Sequence, residues 1–172
     1  MKKEDSPLIH SVKPQEAYQY ARLIQKLETE SDFLLYGANE RSWANEQVEQ
    51  MIYNLHKKKN STILVAENDG DFVGHVTVFG GGADRNAHVG QIITGVLEKF
   101  HGQGIAKQLF LDLDDWGVAN GLIRLELSVM VHNERAVKFY ERMGFEIEGT
   151  KRKSLVVHDE PVDEYVMAKI LA

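Results

Sequence analysis

Gly102 and Gly104 carry the most specific chemical signal in the chain. They sit in Val96-Leu97-Glu98-Lys99-Phe100-His101-Gly102-Gln103-Gly104-Ile105-Ala106, where strand-forming residues enter a glycine-rich turn that opens a long helix. The first turn of a helix has backbone N–H groups without partners and a partial positive charge. Glycine lets an anionic group approach those donors, so the pattern suits a phosphate or pyrophosphate. A P-loop does not fit, because Lys107-Gln108 follow in the wrong frame. A dinucleotide fingerprint does not fit either. It needs a third small residue where Lys107 stands, and the turn here follows antiparallel strands rather than the first strand of a βαβ unit.

Other reactive residues are sparse. The seven histidines (10, 56, 75, 88, 101, 132 and 158) form no His-Glu-x-x-His or similar cluster, so no catalytic metal is expected. Cysteine is absent, which excludes disulfides, thiolate zinc sites, iron–sulfur clusters and cysteine nucleophiles. It also favours a reducing compartment, the cytoplasm. The formal charge of −6 argues against broad nucleic-acid binding and suits a cationic partner. No apolar run approaches a membrane span, and the Met1–Pro14 start lacks the apolar core of a signal peptide. Lys57-Lys58-Lys59 and Lys151-Arg152-Lys153 read as solvated surface. The second run would meet a phosphate only where the fold brings it near.

These residues need elements to hold them. Ile9–Val12 reads as a short strand. Pro14 suits a helix start, and Ala17, Ala21, Ile24 and Leu27 follow at helical spacing. Ser42 reads as the N-cap of a second helix carrying Val48, Met51, Ile52 and Leu55. Between them Glu28–Arg41 is irregular, and its Phe33, Leu34, Leu35 and Tyr36 either plug a core or line a cleft. Ser61–Glu67, Phe72–Phe79 and His88–Leu97 read as an antiparallel meander, with Asn68-Asp69-Gly70-Asp71 as a hairpin turn. Gly102–Asn120 reads as a helix ended by Gly121. Leu122–Val131 alternates as a strand, Asn133 caps the helix Glu134–Met143, and Gly144 ends it. Phe145–Gly149 and Val162–Ile170 make two last strands, joined through a polar loop at Val157–Pro161. The order β-α-α-β-β-β-α-β-α-β-β describes a mixed α/β layer in a single domain over residues 1–172.

His101–Ala106 resembles the Gln/Arg-x-x-Gly-x-Gly/Ala turn of the Gcn5-related N-acetyltransferases (GNAT). Asn133-Glu134-Arg135-Ala136-Val137-Lys138-Phe139-Tyr140-Glu141-Arg142-Met143-Gly144-Phe145 resembles that family's Asn-x-x-Ala-x-x-x-Tyr-x-x-x-Gly-Phe segment. The element order is similar too, so the likeness covers nearly the whole chain. It implies a mostly antiparallel central sheet flanked by helices, and an N-acetyltransferase that uses acetyl-CoA as cosubstrate without a metal. The end of the chain, Glu148–Arg152 with Asp163–Met167, resembles the subgroup of ribosomal-protein N-terminal and polyamine acetyltransferases. That implies a primary amine on a peptide N-terminus, a polyamine or a small molecule as acceptor. Nucleic acid and membrane are not implied partners; relatives are often homodimers.

The resemblance also implies roles. Amides of Gly102, Gln103, Gly104, Ile105 and Ala106 would surround the pyrophosphate, with His101 where the family often has Gln or Arg. The pantetheine arm would run beside Val96 and Leu97, splaying this strand from Leu125–Val131, and Asn133 would cap its helix and bond the arm. Tyr140 would be the general acid that protonates the departing thiolate. The amine would attack directly in a ternary complex, with main-chain donors near Val96 meeting the oxyanion. Phe33, Tyr36 and Glu40 would form the acceptor side, and Glu28, Glu30, Asp32 and Glu40 would suit a cation. The general base stays open. Gln91 stands where many relatives carry a carboxylate, and Ser128 where ribosomal alanine acetyltransferases carry Glu. Glu126, His88 and Glu40 are candidates, as is a water relay ending on a backbone carbonyl. A CoA-binding module that senses or scaffolds without turnover is the rival reading, and Tyr140 speaks against it. A kinase-like reading lacks the Lys and metal carboxylates at the right spacing.

Overall fold

The computed structural model describes residues 6–171. The charged start over residues 1–5, and Ala172, lie outside the described residues. The strands are β1 (Leu8–Ser11), β2 (Thr62–Asn68), β3 (Asp71–Gly80), β4 (Val89–Val96), β5 (Arg124–Met130), β6 (Glu146–Val157) and β7 (Glu160–Ile170). The helices are α1 (Ala17–Glu30), α2 (Asn45–His56), α3 (Ile105–Ala119) and α4 (Glu134–Arg142), with single 3-10 turns at Pro14–Glu16 and Glu98–Phe100. All seven strands form one sheet in the order β1-β2-β3-β4-β5-β7-β6. Every neighbouring pair is antiparallel except β4 with β5. This is the expected order and the expected mostly antiparallel sheet.

The sheet has a core on each face, because strand side chains alternate. Ile63 and Val65 of β2 pack with Ala21, Leu23, Ile24, Leu27, Ile52 and Leu55 of α1 and α2. Leu64 and Ala66 point the other way, into Leu109, Phe110 and Leu113 of α3. Each fully buried aliphatic side chain contributes about 2 kcal/mol, so two such cores hold the layers without covalent staples.

Several boundaries differ from the sequence reading, among them the start of the irregular stretch, since α1 runs on to Glu30; three differ for a clear local reason. Helix α3 starts at Ile105, because Gly102 and Gly104 have φ of +75° and +80°, which helical backbone does not allow. Helix α2 starts at Asn45 with Ala44 as its cap residue, so Ser42 is not the N-cap. Strand β6 continues past Gly149 to Val157, and the polar loop shrinks to a turn at His158 and Asp159, both with positive φ. Its alternation is hidden because it is an exposed edge strand with two register shifts, and Lys151-Arg152-Lys153 fall inside it.

The feature that positions a site is the junction of β4 and β5. They pair over three rungs only, Val89–Gln91 with Arg124–Glu126. Strand β4 stays bonded to β3 as far as Val96, and β5 to β7 as far as Met130. Past Gln91 and Glu126 the two strands therefore part, and the sheet opens as a V.

Candidate active site

The V opens a cleft of about 1850 Å³ whose lining includes Thr94, Val96, Gly102, Gly104, Asn133 and Tyr140. Leu97 donates its N–H to Val73 O at 2.9 Å on β3. Val96, one residue back, therefore turns its N–H and C=O toward the cleft. Its carbonyl accepts from His101 Nε2 at 2.7 Å, and His101 Nδ1 accepts from Arg135 Nη1 at 2.8 Å. A guanidinium can only donate and a carbonyl only accept, so Nε2 is the nitrogen that gives its hydrogen. His101 thus ties the strand end to α4, and both of its nitrogens are engaged within the protein. The Leu97 side chain is buried in the α1–α2 core and does not line the cleft.

The glycine turn follows. Gly104 is the N-cap of α3 and among the described residues no side chain caps the helix, leaving the N–H groups of Ile105, Ala106 and Lys107 without partners there. A Cβ built on Gly102 or Gly104 would meet nothing within 4 Å. Open donors, open approach and the helix dipole together fit a pyrophosphate. Lys107 and the α4 residues Arg135 and Arg142 line the same cleft. Gln103 does not line it; its side chain donates to Lys99 O at 3.3 Å.

Asn133 caps α4, its side chain accepting from Ala136 N–H at 3.4 Å. Two turns on from Asn133, Tyr140 packs against Phe110, Phe139 and Phe145, with ring centroids 5.8, 5.6 and 6.0 Å away. Burial among these rings pushes its phenol up to about 12. The hydroxyl is therefore protonated throughout the neutral range and can give a proton but not take one.

The acceptor side is only partly as expected. Phe33 lines the cleft with its ring 5.3 Å from that of His132. Tyr36 and Glu40 do not line it. The Tyr36 ring lies 3.9 Å from the Arg41 guanidinium, and Glu40 accepts from Gly37 N–H at 2.8 Å. The other three carboxylates of the acidic cluster also have partners inside the protein. Glu28 is buried against Arg41, Glu30 accepts from Glu98 N–H at 2.9 Å, and Asp32 pairs with His158 at 3.1 Å. Glu28 and Glu40 are thus spent on holding the loop, whereas Glu30 and Asp32 line the cleft as expected.

The base candidates fare similarly. Glu126 is outside the lining and accepts from Arg124 Nε at 2.9 Å; Arg124 also holds Glu148. His88 precedes β4, at the far end from the glycine turn, and is outside the lining. Gln91 and Ser128 do line the cleft. The β6–β7 hairpin adds Lys151, Leu155, His158 and Glu164, which no motif marks in the sequence. Among the described residues no group of three potential ligands is placed to hold a metal ion, and no helix is long and apolar enough to cross a membrane.

Comparison with known proteins agrees with this geometry. A model of the acetyltransferase (GNAT) family matches residues 22–145. An L-amino acid N-acetyltransferase, AaaT, of Escherichia coli is 38% identical over 111 residues, covering 62% of this chain and 67% of that protein. A GNAT-family acetyltransferase from Streptococcus pneumoniae superposes with a TM-score of 0.91 at 24% identity, covering 96% of this chain and 99% of the other. YncA from Salmonella typhimurium, a putative acetyltransferase solved with its cofactor acetyl-CoA, superposes with a TM-score of 0.84 at 14% identity, covering 98% and 95%. At that identity these two likenesses speak to the fold. With the family model spanning both the glycine turn and the Tyr140 helix, the chain belongs to the GNAT acetyltransferase family.

Proposed function

We propose that this protein transfers the acetyl group of acetyl-CoA to a primary amine, by direct attack in a ternary complex. One observation carries the reading: the V between β4 and β5 has the free α3 amides at its outer end and the Tyr140 phenol in its wall. Acetyl-CoA supplies the acetyl group as a thioester, whose leaving group is a thiolate. The amides of Ile105, Ala106 and Lys107, with the left-handed Gly102 and Gly104, hold the pyrophosphate. The inward N–H of Val96 is a donor for the extended arm. The Tyr140 hydroxyl gives its proton to the leaving sulfur. With Glu126 and His88 outside the lining, the amine's proton leaves through water rather than directly to either side chain.

Among the three kinds of acceptor, the name of the E. coli relative supports a small-molecule amine. The cysteine-free composition supports a cytoplasmic protein. Thiol release from acetyl-CoA against polyamines, amino acids, aminoglycosides and N-terminal peptides tests the reading. Turnover with at least one class is expected. Firm CoA binding with no turnover by any of them would replace the enzyme with a sensor, which the absence of a carboxylate at Gln91 and Ser128 would then explain.

A further inference from the structure

Lys151 and Ser128 share the sheet face opposite Tyr140. On β7, Ser128 pairs with Val166 and Lys151 with Glu164, a two-residue step along one face. Leu127 and Val129 point the other way, into the core that also packs Tyr140. The gap between β4 and β5 connects the two faces.

Lys151 Nζ donates to Ser128 Oγ at 3.1 Å, and both residues line the cleft. A hydroxyl that accepts still has its own hydrogen to give. Two donors, one of them charged, therefore end side by side. Among the described residues Lys151 is in no ion pair. Its cross-strand neighbour Glu164 accepts instead from Ser154 Oγ at 2.8 Å, and Asp32 is taken by His158. Adjacent donors with an unspent positive charge match the two oxygens of a carboxylate. Phe33, Leu34, Leu35, Leu155 and Val162 supply apolar wall around the same space.

This cation is separate from the phosphate end. Ser128 lies two residues past the last β4–β5 rung, at the fork of the V. The α3 amides lie beyond Val96, and the strand from Gln91 to Val96 alone spans about 16 Å.

We infer that Lys151 and Ser128 form a carboxylate subsite for the acceptor, and that the acceptor is an α-amino acid with an apolar side chain. The inference rests on the acetyl-transfer reading above. A polyamine would instead set a second cation against Lys151.

Leucine, leucinamide and isoamylamine share a side chain and an amine, but only leucine has the carboxylate. Thiol release is measured with each, and with spermidine, for the unmodified protein, Lys151→Met, Lys151→Arg and Ser128→Ala. Leucine binding to the CoA-loaded protein is followed by calorimetry. The unmodified protein should favour leucine over leucinamide about tenfold or more in kcat/KM, as expected for a charged hydrogen bond. Lys151→Met should bring the ratio within about threefold, through the KM for leucine, while Lys151→Arg keeps the preference. Equal use of leucinamide, a preference for spermidine, or an unchanged ratio in Lys151→Met would overturn the subsite. Leucine binding that Lys151→Met weakens, with no thiol released from any amine, would sink the transferase reading and leave the subsite standing.

Discussion

Arg41 reaches back thirteen positions to Glu28, its Nε donating to Oε1 at 3.0 Å. Glu28 is only 4% exposed, and Arg41 is its ion-pair partner. The guanidinium also lies between the rings of Tyr36 and Trp43, at 3.9 and 4.5 Å. The pair pins the segment that carries Phe33, Leu34 and Leu35 into the cleft. Arg41→Ala leaves a buried carboxylate alone and should cost about 3 kcal/mol of stability by urea unfolding. Arg41→Ala with Glu28→Leu should recover much of that loss. Equal losses in the single and double variants would show that the pair is not the anchor.

Gly104→Ala should separate folding from cofactor binding. The new Cβ meets nothing in the protein, so its cost is the left-handed backbone alone, about 1 kcal/mol. That methyl stands beside the amides that receive the pyrophosphate. CoA affinity, read by calorimetry, should therefore fall about tenfold or more while the melting temperature drops by only a few degrees. A melting temperature that collapses together with affinity would assign the glycine to folding instead.

Tyr140→Phe should lower kcat on the order of a hundredfold with little change in CoA affinity. It should also change alkaline stability. The phenol lies at about 12 in the folded protein, above its ordinary 10.0, because burial disfavours the phenolate. The stabilisation from this shift is complete below pH 10 and is lost as pH rises toward 12. Urea midpoints should thus fall more steeply between pH 10 and 12 for the unmodified protein than for Tyr140→Phe. Parallel curves would mean the phenol is not desolvated.

His75 should make the protein acid-sensitive. It is 3% exposed, hydrogen-bonded to Thr77 Oγ1 at 3.0 Å, and lowered by burial from 6.5 to about 4. Its folded form stays neutral where the unfolded chain takes up a proton. The contribution is therefore whole above pH 6.5 and lost as pH falls to 4, about 3 kcal/mol in all. His75→Asn should flatten the stability profile over that window, measured as urea midpoints at stepped pH. An unchanged slope would assign the acid loss to other groups.

What the sequence made legible was local. The glycine turn, the Asn133 cap and Tyr140 each depend on neighbours within one turn, so spacing alone marks them. Glu28, in the last turn of α1, and Arg41 are thirteen residues apart with irregular chain between them, and four nearby carboxylates read as a charged cluster because their partners cannot be inferred. Lys151 lies in a charged run on an edge strand, and only the register with β7 sets it beside Ser128. The order of strands was readable, whereas the number of rungs that join β4 to β5 was not. Splaying removes hydrogen bonds without changing any residue type.

Those three rungs are also a seam. They divide the sheet into a four-strand panel and a three-strand panel hinged along one short edge. Past the hinge, the facing rims of both panels carry backbone groups with no strand between them. An extended guest laid along those rims acts as an eighth strand and stitches the panels together. Amide exchange at Thr94, Val96 and along the facing rim of β5 then reports occupancy directly. The guest's grip on the protein and the protein's grip on its own shape become one quantity.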